Sequence, residues 1–135
     1  MGLVVTTVQQ GYRFVNNLLD MPILRPVVSL ALANKGGWRV VEATLDYGAD
    51  ITMIPNKLAD ELIQYPPFTV EDIIEPSGNS VVGRGMVVLA QVEGKTFYLP
   101  VLAVESVPTI LLGRLGFMDN FAVTFHPKYF EVIPL

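Results

Sequence analysis

A chain of 135 residues is long enough for one domain with its own core, and 51% apolar against 16% charged residues is the balance of a folded globular protein. The net charge of −4 and the scattered positions of nine Lys and Arg residues exclude nucleic acid as a partner, because phosphate binding needs clustered positive charge. The lack of cysteine excludes disulfides, thiolate metal sites and a thiol nucleophile.

The N-terminal region carries few signals of its own. It has no basic start followed by a long apolar run, and no stretch of the chain approaches the ~18 apolar residues of a membrane span. We therefore expect a cytoplasmic protein with no membrane partner. We also expect a single domain over residues 1–135, in which about residues 1–24 form an N-terminal extension or an extra strand.

Two-residue alternation of apolar and polar residues, rich in β-branched side chains, predicts a mostly β protein. The predicted strands are Leu3–Val8, Pro26–Ala33, Trp38–Leu45, Val81–Val92, Thr96–Val104, Phe121–Phe125 and Tyr129–Ile133. Turns that contain glycine or proline separate them, so hairpins are expected between consecutive strands.

Only two short segments carry a helical signal. In Asn56–Gln64, Asn56 is a candidate cap, and Leu58, Leu62 and Ile63 form an apolar stripe. The second segment is a shorter turn of helix over Arg114–Asn120.

The candidate catalytic residue is Asp46, in a stretch where one strand enters an acidic, glycine-containing turn and a second apolar strand follows. Gly48 permits a turn or the close approach of another backbone, which would hold Asp46 at the mouth of a cleft. Taken alone, Asp46-Tyr47-Gly48 is better interpreted as an ordinary Asp-x-Gly surface turn.

A second segment near the other end of the chain changes this interpretation. Leu45–Pro55 and Ile110–Phe117 together resemble the retropepsins, in which an Asp-Thr/Ser-Gly-Ala-Asp turn is followed much later by two apolar residues, a glycine and an arginine. The resemblance runs from about Arg25 to the C-terminus, and the pair of motifs is fairly specific where either alone is weak. It implies a closed or rolled β-barrel with a flap hairpin and one short C-terminal helix after Gly113, acting as a homodimer.

The resemblance also implies the activity of an aspartic endopeptidase. Because one chain supplies one catalytic carboxylate, a twofold axis would pair Asp46 with its copy, and the two would activate a water that attacks the peptide bond. The implied substrate is a peptide or protein, and neither a cofactor nor a metal ion is implied.

Supporting residues follow from the same resemblance. The active-site turn is Tyr47, Gly48, Ala49 and Asp50, and Asp50 would form a structural ion pair with Arg114, the alternative being two independent surface charges. The implied flap and substrate-binding residues are Ser77, Gly78, Asn79, Ser80, Val81, Leu111 and Leu112. An ordinary hairpin turn and ordinary core residues are the alternatives for these.

Tyr47 departs from the family, which has Thr or Ser at this position to form a reciprocal hydrogen bond across the dimer. The larger ring either wedges the two turns apart or packs in a pocket of its own. Two functions therefore stay open: an aspartic protease of weak activity, and a catalytically impaired retropepsin-fold module for dimerisation or peptide binding. A small-molecule-binding β-barrel would leave the paired motifs unexplained.

Overall fold

The structure is a computed structural model, and it describes residues 8–16, 22–74, 80–105 and 107–135. Within these ranges the secondary structure is almost entirely β. The elements are β1 (Val8–Gly11), β2 (Arg13–Asn16), β3 (Pro22–Arg25), β4 (Val27–Asn34), β5 (Gly37–Leu45), β6 (Thr52–Pro55), α1 (Asn56–Glu61), β7 (Tyr65–Ile74), β8 (Ser80–Val92), β9 (Lys95–Val104), β10 (Ile110–Leu112), β11 (Phe121–Phe125) and β12 (Tyr129–Pro134).

Six strands close into a barrel, in the order β4, β5, β10, β6, β9 and β8, because β8 pairs back onto β4. The closing pairs are Ala31 with Gln91 and Leu32 with Ala90. Strand β10 lies parallel to β5 and antiparallel to β6, so this short strand joins the two halves of the ring. Strand β7 adds to the outside of the ring as the antiparallel partner of β8.

Two smaller sheets accompany the barrel. In one, β12 lies between β1 and β11 and is antiparallel to both. In the other, β2 pairs with β3. The first sheet therefore brings the beginning and the end of the described chain together.

Alternate residues of the barrel strands fill its interior, as a period of two requires. Leu30, Leu32, Val88 and Leu99 are fully buried, as are several similar side chains beside them. Burial of this apolar face is the main force that holds the ring closed.

A second part of the core consists of three aromatic rings. Phe117 stacks on Phe121 with ring centroids 4.8 Å apart, and Phe97 of β9 meets Phe121 edge-on at 5.2 Å. Phe117 belongs to the segment after β10, so this cluster packs that segment against the barrel wall.

Helix α1 is shorter than the predicted Asn56–Gln64. It ends at Glu61, and Pro55 occupies the cap position, without any side-chain cap bond from Asn56. The reason is a tertiary contact: Leu62 bridges to Asn34, and the Ile63 N–H donates to the Ala33 carbonyl. These bonds pull the chain into an extended conformation one turn early.

The predicted C-terminal helix over Arg114–Asn120 forms hydrogen-bonded turns instead. Met118 N–H donates to the Arg114 carbonyl at 2.9 Å, and Phe121 N–H donates to the Phe117 carbonyl at 3.0 Å. Between them Gly116 has φ of 82°, a left-handed conformation that interrupts a regular helix.

The predicted fold class is confirmed, since the chain forms a mostly β closed barrel. Five predicted strands match β4, β5, β8, β9 and β11 within a residue at each end, and β12 extends one residue beyond its prediction. Of the predicted strand Leu3–Val8, only Val8 lies within the described residues. No helix in the described ranges has the length and apolar character needed to cross a membrane.

Candidate active site

The turn that carries Asp46 begins where the buried end of β5 leaves the barrel wall. The Asp46 N–H donates to the Leu112 carbonyl at 3.1 Å, so the first residue of the turn is bound to β10. The Gly48 N–H donates to Asp46 Oδ1 at 2.9 Å. The half-buried Asp46 carboxylate is therefore held in place from both its backbone and its side chain.

Gly48 approaches the carboxylate closely. A Cβ atom at this position would lie 3.2 Å from Asp46 Oδ1, which is tighter than an ordinary contact. A glycine thus allows the backbone amide of residue 48 to reach the carboxylate oxygen.

The segment after β10 crosses the turn and completes its hydrogen bonding. The Arg114 N–H donates to the Ala49 carbonyl, and the Leu115 N–H donates to the Asp50 carbonyl, both at 2.9 Å. The two sequence segments that carry the motifs are therefore bonded directly to one another. Because these bonds are between backbone groups, they do not depend on the side chains of the turn.

Gly113 sits at the closest approach of the two segments. A Cβ atom there would lie 2.6 Å from the backbone carbon of Ile51, a distance that real side chains do not show. The Gly113 N–H donates at 2.9 Å to the hydroxyl of Thr52, which is fully buried. This bond pairs two groups that would be costly to bury alone.

Thr52 was not among the residues singled out from the sequence. The available signal was a hydroxyl in the otherwise apolar run Ile51–Pro55, since a polar group in a buried strand requires a partner. The sequence did not show that the partner is the backbone of Gly113, 61 residues away.

Asp50 and Arg114 lie together, with Arg114 Nη2 donating to Asp50 Oδ1 in an ion pair. The side chains are 73% and 53% exposed respectively, so water screens their attraction. The ion pair therefore adds little to the backbone hydrogen bonds of Arg114 and Leu115, which hold the aspartate turn against the segment after β10.

Tyr47 projects from the turn beside Asp46 and packs edge-on against Phe125, with ring centroids 5.5 Å apart and an angle of 70° between the rings. Both side chains remain about half exposed. Partial burial raises the pKa of the Tyr47 hydroxyl by desolvation. No described residue hydrogen-bonds this hydroxyl, so the chain supplies an aromatic neighbour for the ring and no polar partner.

The remaining predicted residues divide into three groups. Leu112 is fully buried and contributes its carbonyl to Asp46, whereas Leu111 is half-buried. Ser80 and Val81 begin β8, opposite β7, in the hairpin that corresponds to the expected flap. Ser77, Gly78 and Asn79 lie outside the described residues.

Across the described ranges, no three His, Asp or Glu side chains come together as a set of metal ligands. The carboxylates of Asp46 and Asp50 instead have separate partners, a backbone amide and a guanidinium.

The barrel, the aspartate turn and the strand β10 that ties it down give this chain the fold of the retropepsin-like aspartic proteases. One solved structure of that class, a retropepsin-like aspartic protease from Rickettsia conorii, superposes with a TM-score of 0.59 at 10% identity, over 99% of this chain and 97% of that one. The EIAV protease complexed with the inhibitor HBY-793 superposes with a TM-score of 0.55 at 20% identity, over 74% of this chain and 88% of that one. No protein-family model and no curated protein sequence matches the chain.

Proposed function

We propose that this protein is a homodimeric aspartic endopeptidase that hydrolyses peptide bonds with one Asp46 from each subunit. The observation that carries the proposal is the Asp46 carboxylate itself, oriented by the Gly48 amide at 2.9 Å on a retropepsin-like fold. Backbone hydrogen bonds with Leu112, Arg114 and Leu115 also fix the shape of the turn that carries this carboxylate.

The chemistry requires two carboxylates about 3 Å apart that share one proton. The ionised Asp46 of one subunit takes a proton from a water molecule while that water attacks the scissile carbonyl carbon. The partner subunit's Asp46 is protonated and donates to the carbonyl oxygen, which becomes the hydroxyl of a tetrahedral intermediate. The Asp46 that took the proton from water then donates it to the amide nitrogen, while the partner subunit's Asp46 takes a proton back from one hydroxyl of the intermediate. The C–N bond breaks and releases the two product peptides, and the pair of carboxyl groups again holds one proton.

The substrate for this chemistry is an extended polypeptide. An extended chain can bond to backbone groups beside the turn and to the β7–β8 hairpin, with alternate side chains in separate pockets. Half-buried apolar residues near the turn, Ile51 and Leu111, are the candidates to line those pockets.

The second candidate function, a peptide-binding or dimerisation module without catalysis, is favoured by one observation. Tyr47 places a large, half-exposed ring next to Asp46, where a second subunit's carboxylate would have to approach. This alternative predicts dimers or bound peptide without turnover.

The test is Asp46→Asn, compared with the parent chain and with Asp60→Asn, which changes an exposed carboxylate of α1. Turnover of an unstructured protein or a quenched-fluorescence peptide library would be followed from acidic to neutral pH, with thermal unfolding as the control for folding. We expect an acidic optimum, inhibition by a statine-type transition-state mimic, and a loss of about 10²–10⁴-fold in Asp46→Asn alone. Full activity in Asp46→Asn would refute the catalytic assignment, and a parent chain without turnover would favour the module.

A further inference from the structure

A row of aromatic rings connects the active-site turn to the sheet formed by β1, β12 and β11. Tyr47 contacts Phe125, Phe125 lies 6.4 Å from Phe130, and Phe130 lies 5.5 Å from Tyr12, in each case between ring centroids. The far end is fixed by the Tyr12 hydroxyl, which donates to the His126 carbonyl at 2.8 Å. The position of the turn is thereby coupled to the position of this sheet.

The two ends of the row differ in burial. Phe130 is fully buried, whereas Phe125 is 45% exposed and Tyr47 is 43% exposed. Such fractions leave roughly 100 Å² of each aromatic side chain in water. Within the described ranges β11 pairs with β12 alone, so Phe125 also lies on a strand that has one unpaired edge. The structure therefore presents two neighbouring, partly exposed rings, one of which belongs to the residue that follows Asp46.

Under the proposed function one chain supplies half of the active site, and the second copy that completes it would approach the turn that carries Tyr47. The proposed mechanism requires two Asp46 carboxylates about 3 Å apart across a twofold axis. Tyr47 would then also lie near that axis, because its Cα is only about 3.8 Å from the Cα of Asp46. This arrangement would place the backbone of Tyr47 within one residue of the axis, where a second copy can cover its exposed ring. Because Phe125 supports the ring from the side, the ring has a defined place when that copy arrives.

We propose that the Tyr47–Phe125 pair is a contact surface for a second copy of this chain, an inference that rests on the proposed function. In this arrangement Tyr47 and Phe125 are positioning residues. They set the separation of the two aspartate turns by aromatic packing, at the position where the resembling family uses a small hydroxyl. The four exposed rings of two copies together would bury about 400 Å². This is a quarter of a standard interface of about 1,600 Å², which is enough for the rings to form the central part of the contact.

The experiment measures dimer dissociation by sedimentation equilibrium, with all variants built on Asp46→Asn. This background needs no turnover, so the result stands or falls separately from the proposed activity. The variants are Phe125→Ala, Tyr47→Ala and the double variant, with Phe125→Tyr as the conservative replacement. Trp38→Ala is the matched control, because Trp38 is also 45% exposed but lies eight residues before Asp46 along the extended chain, about 26 Å away.

We expect Phe125→Ala and Tyr47→Ala each to weaken the dimer by at least about 100-fold, since an aromatic anchor is worth about tenfold or more and each change occurs twice. The double variant should lose less than the product of the two, because the rings touch, while Phe125→Tyr and Trp38→Ala should dimerise like the parent. Tyr47→Ala guards against misfolding of Phe125→Ala, as Tyr47 lies on a turn outside the buried core.

Three results would overturn the proposal. The first is a parent chain that stays monomeric at all concentrations, and the second is an equal loss of affinity in Trp38→Ala. The third is an unchanged dimer in both alanine variants, combined with a raised KM when the same changes are made in the active chain. That outcome would assign the rings to substrate.

Discussion

Gly113→Ala tests whether the close crossing of β10 and the aspartate turn is required for the site. The added Cβ would lie 2.6 Å from the backbone carbon of Ile51, so the two segments must separate by about 0.8 Å to reach the ordinary contact distance of 3.4 Å. The obstacle is backbone, which cannot rotate away as a side chain does. Overpacking of this kind costs about 1–3 kcal/mol of unfolding free energy.

The same separation reaches the catalytic carboxylate, because the Asp46 N–H is bonded to the carbonyl of the residue that precedes Gly113. A misplacement of about 1 Å can lower a rate by about 100-fold, so we expect activity to fall further than stability.

Urea unfolding, followed by the fluorescence of Trp38, and peptide turnover would be measured for Gly113→Ala and for the control Gly11→Ala. A Cβ at Gly11 meets nothing within 4 Å, and that strand position should tolerate the change. If Gly113→Ala matches Gly11→Ala in both stability and turnover, the crossing is not a constraint and this reasoning is wrong.

Two further predictions concern the charges of the turn. Asp50→Ala should lower the unfolding free energy by no more than about 1 kcal/mol, because its ion pair with Arg114 is exposed. The control Asp60→Ala should have a similarly small effect, since the ion pair of Asp60 with Arg84 is similarly exposed. A loss above about 2 kcal/mol in Asp50→Ala alone would show that the Asp50 pair is more than a screened surface contact. Burial raises the pKa of Tyr47 above its ordinary value of 10.0, so the stabilisation by the neutral hydroxyl is complete below pH 10.0 and is lost as the pH rises through the raised pKa. Tyr47→Phe should therefore lose less stability than the parent as the pH rises above 10.0 in unfolding titrations, and parallel curves for the two proteins would contradict this.

The local sequence was sufficient to predict most strands and the aspartate turn. The alternation in β4 and β5 places one face in the core whatever the rest of the chain does, because a period of two is a property of the extended backbone. The turn at Asp46-Tyr47-Gly48 was recognisable for a similar reason, since it combines a carboxylate with a residue that lets a backbone amide approach. In both cases the signal lies within about ten consecutive residues.

The features that the sequence did not predict are contacts between distant segments. Helix α1 ends at Glu61 because Leu62 and Ile63 bond to β4, although the local pattern favours helix to Gln64. The turns after β10 replace a helix because Gly116 lies against the wall of β9, where a Cβ would be 2.9 Å from the Tyr98 carbonyl. Local propensity differs between conformations by about 1 kcal/mol or less per residue, so one buried contact can reverse it.

The sequence by itself determined that the chain is mostly β, because that follows from short-range pattern. It also made Asp46 the candidate catalytic residue, through the resemblance that Leu45–Pro55 and Ile110–Phe117 carry together. Only the tertiary structure decided that Thr52 is bonded to Gly113 and that Tyr47 rests against Phe125. Partners so far apart in sequence meet only when the barrel closes, and no local pattern carries their distance or their burial.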